Sequence, residues 1–356
     1  MLNRRDFLKQ SIAASGAFGL AQAARAATGE KPRIRCGMIG TDHPHALDVL
    51  DQILQSQDYE LAGVCEPDSA LRESKKGLPI LKDVTWRSQD ELLSDPSVQL
   101  IVVESGLQRL LPFGRAAVDA GKHLHLDKPA GTSLTDWKAL LDVAAEKNLL
   151  VQMGYMYRYN PGFDLIREAV QGGWLGDVFS IQASMCTSLS SDKRKDKDIH
   201  PGGIMLELGC HLIDMICIIL GEPAKVTAFL RHDSAFDDTL ADNTLAVLEY
   251  DKAMAVVETS AQEPDAFPNR RFKIAGSKGK IVMEPIEPPH AKLYLSEPAG
   301  GREKGWHDIP LPDLPRHARD FADLAACLRG EAQFAYSKEH DYVVQRTLLR
   351  ACGQSA

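Results

Sequence analysis

Three short stretches of this chain carry residue types that could do chemistry. The first is Gly121-Lys122-His123-Leu124-His125-Leu126-Asp127-Lys128-Pro129, where Lys128 sits just beyond a four-residue run of strand character. An ammonium at the buried end of a strand is desolvated, so it can hydrogen-bond a ligand oxygen and hold a shifted pKa. The second is Gly202-Gly203-Ile204-Met205-Leu206-Glu207-Leu208-Gly209-Cys210-His211-Leu212-Ile213-Asp214. Glu207, His211 and Asp214 recur there at i, i+4 and i+7, which sets them on one stripe of a helix. Polar residues on such a stripe need partners when buried. A histidine beside a carboxylate, with a lysine brought near, is suited to proton transfer at a hydroxyl.

The third stretch, Gly40-Thr41-Asp42-His43-Pro44-His45-Ala46, closes the first strand. A dinucleotide-binding turn would carry glycines at 40, 42 and 45, and here only Gly40 remains. Asp42 sets a carboxylate where a phosphate would lie, which is repulsive unless solvent or a cation intervenes. Glu66 ends the second strand, 26 positions after Gly40. An acid there accepts hydrogen bonds from ribose hydroxyls and repels a 2′-phosphate, which favours NAD over NADP. His43 and His45, with Asp42, have donor atoms for a metal, but two histidines two apart in a loop read as hydrogen-bonding residues near a ligand. No metal site is expected.

The elements that must position these residues are legible as a pattern. Strand-like runs at Ile34–Ile39, Glu60–Cys65, Val98–Val103, His123–Leu126 and Leu149–Gly154 alternate with helical periodicity at Ala46–Leu54, Glu91–Leu93, Pro112–Ala120 and Leu134–Lys147. Alternation of this kind predicts right-handed crossovers and a doubly wound parallel sheet over residues 33–155. The remainder, 156–356, reads as an α/β domain with an open, mainly antiparallel sheet. Its expected strands are Val178–Cys186, Lys225–Leu230, Asn243–Tyr250, Ala253–Ser260, Arg271–Ala275, Gly279–Glu284 and Ala291–Leu295, with helices at Phe163–Gln171, Gly203–Leu220, Arg316–Leu328 and Ser337–Ala351. The last helices are free to return to the first domain. The charge run Lys193 to Asp198 reads as a solvated loop.

Composition sets the outer limits. The 356 residues carry 41 Lys+Arg against 49 Asp+Glu, a formal charge of −8, which disfavours nucleic acid as a partner. No apolar stretch approaches the ~20 residues of a membrane-spanning helix. Asn3-Arg4-Arg5-Asp6-Phe7-Leu8-Lys9, an Ala- and Gly-rich apolar run and Ala24-Arg25-Ala26 make residues 1–28 an expected signal peptide of the twin-arginine type, and hence a periplasmic address. Seven cysteines without a C-x-x-C pair suggest core thiols.

The first two stretches resemble the G-K-H-V-x-x-E-K-P and G-G-x-x-x-D-x-G-x-H-x-x-D motifs of the Gfo/Idh/MocA (glucose–fructose oxidoreductase, inositol dehydrogenase) family. Asp242-Asn243 before a strand and Tyr336-Ser337 at a helix start are similar too. The resemblance implies a Rossmann domain followed by an open antiparallel sheet, and an NAD(P)-dependent oxidoreductase acting on a sugar, cyclitol or derivative. It makes His211 the proton acceptor, Lys128 the group that polarises the hydroxyl, and Glu207 the orienting carboxylate. It places Gly40, Thr41, Asp42, His43, Glu66, Glu104, Ser105, Asp127 and Lys128 around the cofactor, and Arg158 and Asp214 near substrate. A homo-oligomer built through the second sheet is expected. Val103-Glu104-Ser105-Gly106-Leu107-Gln108-Arg109 departs from the family's T-P-N-x-x-H, with Arg109 in place of the histidine. Two alternatives stay open: a glycosidase or lyase that keeps NAD tightly bound for transient oxidation, and a cofactor-free sugar-binding protein.

Overall fold

The computed structural model describes residues 31–355. Five strands, β1 (Ile34–Ile39), β2 (Tyr59–Cys65), β3 (Leu100–Val103), β4 (His123–Leu126) and β5 (Val151–Met153), form a wholly parallel sheet in the order β2-β1-β3-β4-β5. Every residue of β3 is buried, which is why that strand reads as a bare apolar run and not as an alternation. The strand order reverses between β1 and β3, so the crevice at their carboxyl ends is the place where a ligand of such a sheet sits. Gly40 follows β1 there, and Glu104 and Ser105 follow β3.

The helix Ala46–Gln55 buries Ala46, Val49, Leu50 and Ile53 along one stripe against this sheet. Helix Leu107–Asp119 begins five residues before the expected Pro112 start. Proline removes one backbone bond, but Leu107, Leu110 and Leu111 bury an apolar face in that first stretch and offset the loss.

The second sheet has eight strands: β6 (Val178–Ser184), β7 (Lys225–Arg231), β8 (Asn243–Glu249), β9 (Met254–Ser260), β10 (Arg271–Gly276), β11 (Gly279–Met283), β12 (Ala291–Leu295) and β13 (Gly305–Ile309). Their order is β13-β12-β11-β10-β6-β9-β8-β7, antiparallel except for the β6–β9 pair. Strand β13 is absent from the sequence expectation because its Trp306 faces solvent and only Ile309 is buried.

The expected helix from Gly203 is irregular at its start. A turn of π-helix, Met205–Gly209, leads into a regular helix, Cys210–Leu220, that packs on β6 and β9. Extra-wide turns of this kind re-aim side chains and concentrate at functional sites. The chain then returns: Phe321, Leu324 and Ala325 of helix Ala318–Leu328 pack with Ile34, Val49, Tyr59 and Val102 of the first sheet and its first helix. All seven cysteines are free; six are buried and Cys327 is half-buried.

Candidate active site

Lys128, just beyond β4, reaches across to the π-helical turn. Its Nζ donates to the Glu207 carbonyl at 3.1 Å and lies 3.3 Å from Glu207 Oε1. Burial works against the charge on Lys128, but Glu207, Cys210 and Asp127 outweigh it and hold the ammonium above its ordinary pKa. Burial likewise opposes the Glu207 carboxylate, while Lys128 and Lys197 hold it well below the usual carboxylate range. Lys197 Nζ meets Glu207 Oε2 at 3.1 Å, and His200 Nδ1 lies 3.7 Å from the same oxygen. The charge run expected to be a solvated loop therefore contributes a lysine to this network, and Arg194 beside it is buried against Asp238 and Asp242.

His211 sits one helical turn beyond Glu207, 3% exposed, with its ring centroid 5.1 Å from that of Tyr157, 6.0 Å from Tyr155 and 6.4 Å from His45. Its Nδ1 has no hydrogen-bond partner among the described residues. Burial and the neighbouring Lys128 push its pKa well below the usual histidine value, so it is a neutral imidazole able to accept a proton. Asp214 is not beside it in function. Asp214 and Arg158, expected to touch substrate, form a bidentate pair at 2.7 and 3.0 Å. Asp341 joins at 2.5 Å, with every member essentially fully buried. A carboxylate that neutralises a buried guanidinium is committed to that partner, so these residues brace helix Lys338–Ala351 and do not face the cleft.

The turn after β1 keeps the geometry of a phosphate turn with different chemistry. Gly40 has φ +90°, and a Cβ there would lie 2.6 Å from Ser105 Cβ, so only glycine passes between the two strand ends. Glu66 Oε2 accepts from Thr41 N at 2.8 Å and Thr41 Oγ1 at 2.7 Å. Its Oε1 accepts from Asp68 N and from Arg109 at 3.2 Å. Arg109 also meets Asp42 Oδ2 at 2.5 Å. The cation that Asp42 requires beside a phosphate is thus Arg109, and Glu66 is spanned by its own neighbours.

Asp127 and Glu104 are fully buried behind His43. Asp127 Oδ2 lies 2.6 Å from His43 Nδ1 and 3.0 Å from His45 Nδ1. Burial opposes its charge, but the two imidazoles hold Asp127 well below the usual carboxylate range. Burial and the adjacent Asp127 push Glu104 well above it. In front lies a cleft of about 910 Å³, lined among others by Asp42, His43, Arg109, Lys128, Lys197 and Glu207. Gly40, Thr41, Glu66, Ser105 and His211 are not part of that lining.

Residues 34–155 match the family profile described as oxidoreductase family, NAD-binding Rossmann fold, and residues 163–282 match the Gfo/Idh/MocA C-terminal domain. The chain belongs to the Gfo/Idh/MocA oxidoreductases. Its class of activity is accordingly that of an NAD(P)-dependent oxidoreductase. It is 25% identical to a myo-inositol 2-dehydrogenase of Thermotoga maritima, over 76% of this chain and 78% of that one. It is 26% identical to a D-xylose 1-dehydrogenase (NADP(+)) of Haloferax volcanii, over 88% and 94%. The fold is shared with an Agrobacterium radiobacter oxidoreductase solved with NAD+, L-tartaric acid and magnesium, at TM-score 0.77 and 14% identity, covering 90% of this chain and 97% of that one.

A nicotinamide dinucleotide fits the residues present at the strand ends. The Gly40 turn is too close to Ser105 for any Cβ, and Ser105 Oγ is buried without a partner among the described residues. Sequence reasoning missed Lys197 and the Arg109 bridge. The signal for Lys197 was its place in a basic run directly before the Gly202-Gly203 motif.

Proposed function

We propose that this Gfo/Idh/MocA protein oxidises or reduces a hydroxyl-bearing carbohydrate or cyclitol, with Lys128 and His211 handling the oxygen and its proton. The observation that carries the reading is Lys128 Nζ, buried beyond the end of β4 and held by Glu207, with a neutral His211, its Nδ1 without a partner among the described residues, one turn further along. A bound nicotinamide supplies the hydride acceptor or donor. Lys128 donates to the substrate oxygen and stabilises negative charge as it develops. Glu207, tied to Lys128 and Lys197, keeps that ammonium aimed. His211 takes the hydroxyl proton on oxidation and returns it on reduction. Gly40, Thr41 and Ser105 would hold the dinucleotide, with Arg109 beside its phosphates, and the Glu66 carboxylate favours NAD over NADP. Replacing His211 with Ala should lower turnover by about 10²–10⁴ while nucleotide binding persists. Turnover near that of the parent would sink the assignment.

The Asp42–Arg109–Glu66 bridge favours a second reading, a carbohydrate-binding protein without cofactor. Denaturing the purified protein and quantifying released nucleotide separates the two. Residues 1–28 lie outside the described residues, and we propose that they direct twin-arginine export. The nucleotide would then be loaded before export and kept through the catalytic cycle, as an oxidoreductase or as a lyase or glycosidase using transient oxidation. Finding no nucleotide in protein from the periplasmic fraction would defeat that idea. We further propose self-association through the outer face of the eight-stranded sheet.

A further inference from the structure

Buried polar atoms without partners collect behind His43. Among the described residues they are Glu104 Oε1 and Oε2, Ser105 Oγ and His125 Nε2. They surround a convergence of donors: His43, His45 and Asp127 each offer an atom, all within 4.8 Å of one another. The backbone N–H of His45 donates to His43 Nδ1 at 3.2 Å, which marks that nitrogen as an acceptor. The same nitrogen faces Asp127 Oδ2 at 2.6 Å. Two acceptors at that distance repel unless a cation or a proton lies at the contact.

We propose that a divalent first-row transition-metal ion binds here, ligated by His43 Nδ1, His45 Nδ1 and an Asp127 carboxylate oxygen, with Glu104 as the fourth protein ligand. This departs from the sequence expectation of no metal. Bonds of ~2.1 Å set ligand atoms ~3.0–3.4 Å apart around such an ion. The observed separations of 2.6, 3.0 and, from His43 Nδ1 to Glu104 Oε2, 3.6 Å bracket that range. Imidazole and carboxylate donors without thiolate suit Zn²⁺, Fe²⁺ or Mn²⁺ over Cu⁺. The outer layer is already built: Glu104 Oε1 lies 3.6 Å from His125 Nε2, and His125 Nδ1 is fixed by Gln152 at 2.8 Å. Partners of this kind orient metal ligands. His43 lines the cleft beside Lys128, so a remaining coordination position opens toward a water or substrate hydroxyl there.

The test strips the full-length protein with EDTA, dialyses it against Zn²⁺ or Co²⁺, and measures ions per chain by mass spectrometry. Visible absorption of the Co²⁺ form reports its ligands. The expected result is about one ion per chain. Affinity should fall by at least about tenfold in His45→Gln and in Asp127→Asn, and stay unchanged in His290→Gln, an exposed histidine outside the cluster. Circular dichroism checks that each variant folds. His43→Gln, whose side chain lines the cleft, decides if the other two variants do not fold. Fewer than about one ion in ten chains, or equal ion content in parent and His43→Gln, would overturn the site. Nucleotide measured in the same samples keeps the outcomes apart: ion without nucleotide counts against the dehydrogenase reading alone, and nucleotide without ion against the metal site alone.

Discussion

Arg109 is the residue on which the altered glycine turn depends. It spans Asp42 and Glu66, from the ends of two different strands, and without it two carboxylates would face any phosphate entering the cleft. At an effective dielectric of ~20, unit charges 4 Å apart interact by about 4 kcal/mol, so even a screened fraction of that is felt in affinity. Arg109→Ala should therefore weaken NAD binding by about tenfold or more, and adding Asp42→Asn should recover part of the loss. Titration calorimetry on the parent, both singles and the double variant measures this, and unchanged affinity in Arg109→Ala would show that the turn takes no phosphate. The Lys128–Glu207 contact was legible in the sequence because each residue lies in a motif with its own spacing. The Arg109 bridge was not, since Asp42 and Glu66 follow two different strands and Arg109 lies in the first turn of the helix after a third, and only the sheet order brings them together. Arg158 and Asp214 misled because a polar stripe on a helix looks the same whether it faces substrate or a buried ion of the opposite sign.

The elements were read well where periodicity was strong and poorly where it was not. β1 and β4 appear at the expected residues, since a strand between turn residues has little freedom in its ends. The π-helical turn at Met205–Gly209 left no sequence signature, as one extra residue in a turn does not disturb an apolar run. The parallel β6–β9 pair was likewise hidden, because alternation fixes which face is buried and not which strand is the neighbour. The outer face of that sheet carries Phe229 and Met254, both about half exposed, with half-buried Leu245, Val247 and Val256 between, and Trp306 at the far edge on β13. The β7–β9 end of this face is an apolar patch, and the proposed association would cover it. Light scattering should show a dimer or larger assembly for the parent, and Phe229→Lys with Met254→Lys should shift it toward monomer at the same protein concentration. A parent that is monomeric at tens of micromolar would remove the sheet as an interface.

At the scale of the molecule, a set of titratable groups is buried where the ends of the first sheet face the π-helical turn and the helix after it, and this gives folding a definite pH dependence. Burial holds His45 and His200 at about 4, and holds His211 well below its ordinary value, so each is neutral in the folded chain. In the unfolded chain all three titrate near ~6.5. Between those limits the unfolded state binds more protons, so stability falls as pH drops from about 6.5 toward 4, by up to 1.4 kcal/mol per pH unit for each histidine, as an order of magnitude. Asp127 and Glu207 add to this trend: their depressed pKa values give stability that is present above ~4 and lost in stronger acid. Glu104 acts in the opposite sense, since a raised carboxyl is favoured below its unfolded value and its contribution fades as pH rises through the folded one. Asp341 and His317, also raised, act as Glu104 does, but the five histidines held below their ordinary value, His123 and His125 included, outnumber these three in the window from 6.5 to 4. The midpoint of thermal unfolding of EDTA-treated protein should drop steeply between pH 6.5 and 4, and His200→Gln should make that slope shallower, because one of five histidines held below their ordinary value (His45, His123, His125, His200 and His211) is gone. Scanning calorimetry in a buffer series decides it, and a midpoint that stays level over this window would mean that these histidines are not held neutral by the fold.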